Sequence, residues 1–151
     1  MQNRRAALKS VGVLAGLLVS SGLFPQLAMA FNKNAFEAKT TAEALKSLGV
    51  GAMTESKDVS ITAPDIAENG AVVPVSVATT ASGVKSLLIM VEKNPSPLTT
   101  LFNITDSIEP AISARVKMGQ TSDVYAVAVL NDGKLLFAKK EVKVTLGGCG
   151  G

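Results

Sequence analysis

Val84-Lys85-Ser86-Leu87-Leu88-Ile89-Met90-Val91 decides the fold. Successive side chains of a strand point to opposite faces, and from Leu87 to Val91 every one of them is apolar. A strand that is apolar on both faces belongs in the middle of a sheet with cover on each side. Reading outward toward the C-terminus, Asn94-Pro95-Ser96-Pro97 turns the chain, and Leu98 to Ile104 alternates as a second strand. Asp106 to Pro110 turns it again. Ile112, Ala114, Val116 and Met118 then face inward while Ser113, Arg115 and Lys117 face water. Beyond Gly119, Asp123 to Leu130 is another run with two apolar faces. Asn131-Asp132-Gly133 tolerates positive φ and makes a hairpin into a last strand, Lys134 to Leu146.

Toward the N-terminus, Val59, Ile61 and Ala63 alternate with polar residues before Pro64, and Asn69-Gly70 turns the chain into Val72 to Thr79. Pro74 lacks a ladder donor, which predicts an edge position or a bulge there. Seven short strands separated by turn signals predict an all-β, immunoglobulin-like antiparallel β-sandwich over residues 51–146. Ahead of it, residues 31–50 read as a short N-terminal helix. Phe36, Thr40, Leu45 and Leu48 recur at helical spacing, and Gly49 stands where a C-cap glycine belongs. The plainest role for that helix is to bury an apolar face against the domain, and docking on a partner is the alternative.

Residues 1–30 read as a cleaved export signal. Arg4, Arg5 and Lys9 supply the charged region, Val11 to Leu23 the apolar one, and Ala28-Met29-Ala30 the small-residue cleavage pattern, which makes Phe31 the first mature residue. Asn3-Arg4-Arg5-Ala6-Ala7-Leu8-Lys9 also resembles a twin-arginine signal, with Ala7 departing from the usual aromatic. The apolar run is interrupted by Gly16, Ser20, Ser21, Gly22 and Pro25 and falls short of the roughly 20 residues that span a bilayer, so no membrane association is expected after cleavage.

Composition closes off several functions. Once Arg4, Arg5 and Lys9 leave with the signal, 12 cationic residues stand against 12 acidic ones, so the basic balance of the whole chain carries no message about nucleic acid. One tyrosine, Tyr125, and no tryptophan leave little on which bases could stack. The absence of histidine removes Ser-His-Asp and Cys-His pairs, histidine metal sites and covalent haem attachment, and a single cysteine cannot build a cysteine metal cluster. No cofactor is expected. Asp65 with Glu68 and Asp106 with Glu109 sit beside turns and read as solvated carboxylates.

What remains is the chain end, residues 147–151: Gly147-Gly148-Cys149-Gly150-Gly151. Glycines on both sides of the sole cysteine predict a flexible arm, with Gly147, Gly148, Gly150 and Gly151 providing the freedom. From Leu146, three extended residues carry the sulfur roughly 10 Å beyond the body. A thiol reacts as thiolate, and a glycine arm supplies no cation or helix terminus to lower its pKa. Cys149 is therefore accessible without being self-activating, which describes a covalent carrier rather than an enzyme. A frayed terminus with an incidental cysteine is the bland alternative. Two others are an exported structural or adhesin-like sandwich that dimerises through a Cys149 disulfide, and a carrier that uses its terminal glycine carboxylate as a thiocarboxylate.

Three stretches, Ile66-Ala67-Glu68-Asn69-Gly70-Ala71-Val72-Val73-Pro74-Val75, Val91-Glu92-Lys93-Asn94-Pro95-Ser96-Pro97 and Val116-Lys117-Met118-Gly119-Gln120-Thr121-Ser122, resemble the SoxY family when taken with the export signal and the terminal arm. SoxY proteins are the sulfur carriers of bacterial thiosulfate oxidation. The resemblance implies a periplasmic protein with an immunoglobulin-like fold, paired with a SoxZ-like subunit. It implies that Cys149 is conjugated to thiosulfate by a SoxXA-like haem protein, that a SoxB-like enzyme releases sulfate, and that a SoxCD-like enzyme oxidises the remaining sulfur.

Overall fold

The computed structural model describes residues 33–147. Two helices, α1 (Lys33–Glu37) and α2 (Thr41–Ser47), precede nine strands among the described residues. These are β1 (Met53–Glu55), β2 (Val59–Thr62), β3 (Ile66–Asn69), β4 (Val73–Thr79), β5 (Val84–Val91), β6 (Leu98–Asn103), β7 (Ala111–Val116), β8 (Ser122–Leu130) and β9 (Leu135–Leu146). The larger sheet has the order β1-β9-β8-β5-β6, with β3 also paired to β9, and the smaller has the order β2-β4-β7.

The two-faced strands are covered on both sides, as their sequences require. Leu87, Ile89 and Val91 of β5 and Val124, Ala126 and Ala128 of β8 face the smaller sheet, where they meet Val73, Val75 and Val77. Leu88, Met90 and Val127 face the other way, onto Ala35, Ala44 and Leu45 of the helices. Each fully buried Leu, Ile or Met here contributes about 1.5–3 kcal/mol relative to exposure. The helices thus form a third layer docked on the domain itself.

The single helix expected over residues 31–50 is two. Thr40 is extended at φ −131 and ψ 155, and its side chain accepts from the Glu43 backbone N–H at 3.1 Å. The Glu43 carboxylate in turn accepts from the Lys39 N–H at 3.0 Å. Thr40 therefore starts a new helix instead of continuing the old one. The stop at Gly49 is as expected: φ is 72, Gly49 N–H donates to Lys46 O at 3.0 Å, and Val50 N–H donates to Leu45 O at 3.2 Å, a Schellman closure.

Seven strands were expected and nine are present. The additions, β1 and β3, pair with β9 in parallel, at Met53↔Leu135 and Ile66↔Lys143, so the sandwich is not wholly antiparallel. Each is short, and neither Met53–Glu55 nor Ile66–Asn69 alternates apolar with polar. Pro74 lies on the middle strand of the smaller sheet. The last β2 pair is Thr62↔Ser76, however, so at Pro74 itself β4 has only β7 beside it, through Arg115. The missing donor is accommodated by a locally open edge.

Candidate functional site at the root of the C-terminal arm

Cys149, Gly148, Gly150 and Gly151 lie outside the described residues, as do the export signal and its cleavage site. Gly147 and the body it leaves are described. β9 pairs with β8 from Leu135↔Val129 to Val142↔Ser122, and its last residues continue beside β3 as far as Asn69↔Leu146. Lys143 N–H donates to Asp65 O at 3.0 Å, Val144 N–H to Thr121 Oγ1 at 3.0 Å, and Thr145 Oγ1 to Glu68 O at 3.0 Å. Leu146 O accepts from Gly70 N–H at 2.7 Å, and Gly70 O accepts from Met118 N–H at 2.7 Å. The strand is tied down to its final residue.

A third loop joins these two. Asn94 Nδ2 donates to Lys117 O at 2.7 Å, while its Oδ1 accepts from Gly119 N–H at 3.3 Å. Next to it Ser122, 1% exposed, uses its hydroxyl to accept from Lys93 N–H at 3.0 Å and donate to Asp123 O at 3.0 Å. The turn after β3, the β5–β6 loop and the β7–β8 loop therefore meet where β9 ends. Beside Asn94, a cleft of about 270 Å³ has Thr99, Thr100, Arg115 and Lys117 among its walls.

Gly147 lies against this convergence. A Cβ built on it would collide with the carbonyl oxygen of Gly119 and stand 3.2 Å from its carbonyl carbon. Gly147, expected to give the arm freedom, also has a packing reason to be glycine, the close approach of two backbones. Asn94 and Gly70 are legible in the sequence as turn residues, and all three of Asn94, Gly70 and Gly119 lie in the stretches that resemble SoxY, but nothing local marks them as neighbours of the arm. Their contacts reach across the chain, 23 and 25 residues in the case of Asn94, where no local signal exists.

One surface ion pair lies close by. Lys140 Nζ stands 2.9 Å from Asp65 and donates to Ala63 O at 2.6 Å, and its hydrogen bond and charge hold the exposed Asp65 carboxyl below its ordinary range. Among the described residues no group of three potential metal ligands occurs.

A family model described as "Sulfur oxidation protein SoxY" matches residues 45–149. The sulfur carrier protein SoxY from Chlorobium limicola is 38% identical, with a TM-score of 0.60 over 68% of this chain and 92% of its own. A superoxide reductase (neelaredoxin) from Ignicoccus hospitalis, 18% identical, has a TM-score of 0.51 over 57% of this chain and 78% of its own. A putative superoxide reductase from Thermotoga maritima, 12% identical, has a TM-score of 0.52 over 61% and 93%. These two share the fold alone. No curated protein matches the chain significantly. The family match takes in all three loop regions that meet at the arm root, and on that match the chain belongs to the SoxY family of sulfur oxidation proteins.

Proposed function

We propose that this protein is a periplasmic sulfur carrier without catalytic activity of its own, holding thiosulfate-derived sulfur on Cys149 and presenting it to partner enzymes. The observation that carries the reading is the family match running to residue 149, the sole cysteine, on a chain end rooted in three converging loops. Likeness to the Chlorobium sulfur carrier supports it. The export pattern of residues 1–30 supports the periplasm and a twin-arginine route.

In this scheme the Cys149 thiolate and thiosulfate join through a new sulfur–sulfur bond, and the two electrons released pass one at a time through the haem iron of a SoxXA-like partner to its one-electron acceptors. The product is a cysteine S-thiosulfonate. Water then attacks the sulfonate sulfur in a SoxB-like enzyme, sulfate leaves with two protons released, and a persulfide stays on Cys149 for a SoxCD-like enzyme. A SoxZ-like subunit completes the carrier. The chain itself needs no cofactor, because an arm of glycines leaves activation of the thiol to the site it enters.

The test is the intact mass of the protein isolated from periplasm, with and without a thiol reductant, followed by mapping of the C-terminal peptide. A reductant-labile sulfur adduct on Cys149 of a chain beginning at Phe31, lost in Cys149→Ser, is the expected result. A bare thiol, a simple dimer disulfide or a sulfur on the terminal carboxylate, after supply of thiosulfate and partner enzymes, overturns the proposal.

A further inference from the structure

We infer that Asn94, Gly119 and Gly147 form a seat that fixes where the arm leaves the body, with Asn94 as a positioning residue for the group that Cys149 carries; the functional part of this rests on the carrier reading above. The Asn94 amide spans the turn after β7, donating to Lys117 O at 2.7 Å and accepting from Gly119 N–H at 3.3 Å. Gly119 O is the atom that a side chain on Gly147 would strike. Whatever sets the position of Gly119 therefore sets the surface on which Gly147 lies.

Two features separate this seat from a flexible linker. Positive φ occurs at Gly49, Gly83 and Gly133 among the described glycines and not at Gly147, so Gly147 is glycine for room and not for conformation. The room is bounded by backbone, which cannot swing aside as a side-chain tip can. Asparagine is also chemically specific at position 94, since a single planar amide supplies the donor and the acceptor. Aspartate keeps the acceptor and turns a second oxygen toward Lys117 O; alanine loses both.

The seat fixes the point from which the arm is counted. From Gly147 the chain can carry Cys149 at most about 7 Å away. With so short a tether, a tilt at the root redirects the sulfur instead of being absorbed by slack. The fraction of arms aimed productively then enters the apparent affinity for the enzyme that loads the thiol.

The experiment uses the full mature chain carrying Lys134→Cys, whose native lysine side chain is 74% exposed just before β9, so that nitroxides on positions 134 and 149 report the arm's distance distribution. Asn94→Asp, Asn94→Ala and Gly147→Ala are compared with Gly51→Ala, where a Cβ meets nothing within 4 Å. The three seat variants are expected to shift or broaden the distribution and Gly51→Ala to leave it alone. In the unlabelled chain, the haem partner's KM for the carrier in thiosulfate loading is expected to rise about three- to tenfold with kcat unchanged. If Gly147→Ala does not fold, folded Asn94→Asp carries the comparison. An unchanged distance distribution in the folded Asn94 variants overturns the seat. A shifted distribution with unchanged KM overturns its role in presentation, and a wild-type chain that takes up no sulfur overturns the carrier reading while leaving the distances to judge the seat.

Discussion

Tyr125 is the only tyrosine in a chain without tryptophan, which makes it a clean reporter of the helix-covered face of the larger sheet. Its ring lies 5.8 Å from that of Phe137, and Lys139 Nζ stands 5.9 Å from its centroid. Burial, and then the charge of Glu92, raise its phenol above the ordinary 10.0. Lys139 is raised too, from 10.5, by its hydrogen bond and ion pair with Asp123. Both shifts act in one direction. A group with a raised folded pKa contributes stability that is complete below its unfolded pKa and is lost as pH rises through the folded one. Phenolate absorbance is therefore expected to titrate with a midpoint above 10 in the folded protein and near the ordinary value in urea. Tyr125→Phe keeps the ring and removes the proton, so its stability should fall less steeply on the alkaline side. An alkaline limb of unchanged slope would assign that loss to Lys139 and other groups.

Among the elements, the helical pair shows what local sequence can and cannot reveal. Thr40-Thr41-Ala42-Glu43 is a legible capping pattern, and it explains why one predicted helix is two. Thr40→Ala is expected to cost about 1 kcal/mol. Leu45→Ala, which empties a 5% exposed position against Leu88 and Met90, should cost about 2–4 kcal/mol, both measured by urea unfolding. A Leu45→Ala loss well below 1 kcal/mol would mean that the helices are ornaments on the sheet and not its cover. The other seven strands were legible for a related reason: their alternation or double-sided apolarity is written within each segment. β1 and β3 were not, because Met53–Glu55 and Ile66–Asn69 do not alternate apolar with polar and their pairing partner, β9, lies about 80 residues away along the chain. The seat under the arm was hidden in the same way. Gly147 looked like its glycine neighbours until Gly119 was placed against it.

At the scale of the whole molecule, the body from residue 33 to 147 carries 12 cationic and 12 acidic side chains, and the ion pairs that join them are mostly solvated. Such a surface projects little long-range field, and what remains is screened within about 10 Å at 0.1 M salt. On the proposed carrier function, a protein that visits several partner sites in turn would gain from this, because a body of strong net charge would favour one partner and linger there. The sulfur group it would carry is anionic, so discrimination has to come from short-range contacts at the arm and its root. The apparent KM of the loaded or unloaded carrier for each partner enzyme is then expected to change less than about threefold between roughly 0.05 and 0.3 M salt. Charge-reversing Lys143→Glu, at the strand end nearest the arm, should change that dependence more than the same reversal at Lys134, at the far end of β9. Equal effects at the two ends would mean that the field of the whole body guides docking. A KM that climbs steeply with salt in the unaltered protein would mean that local charge patches, and not the neutrality of the body, govern the encounter.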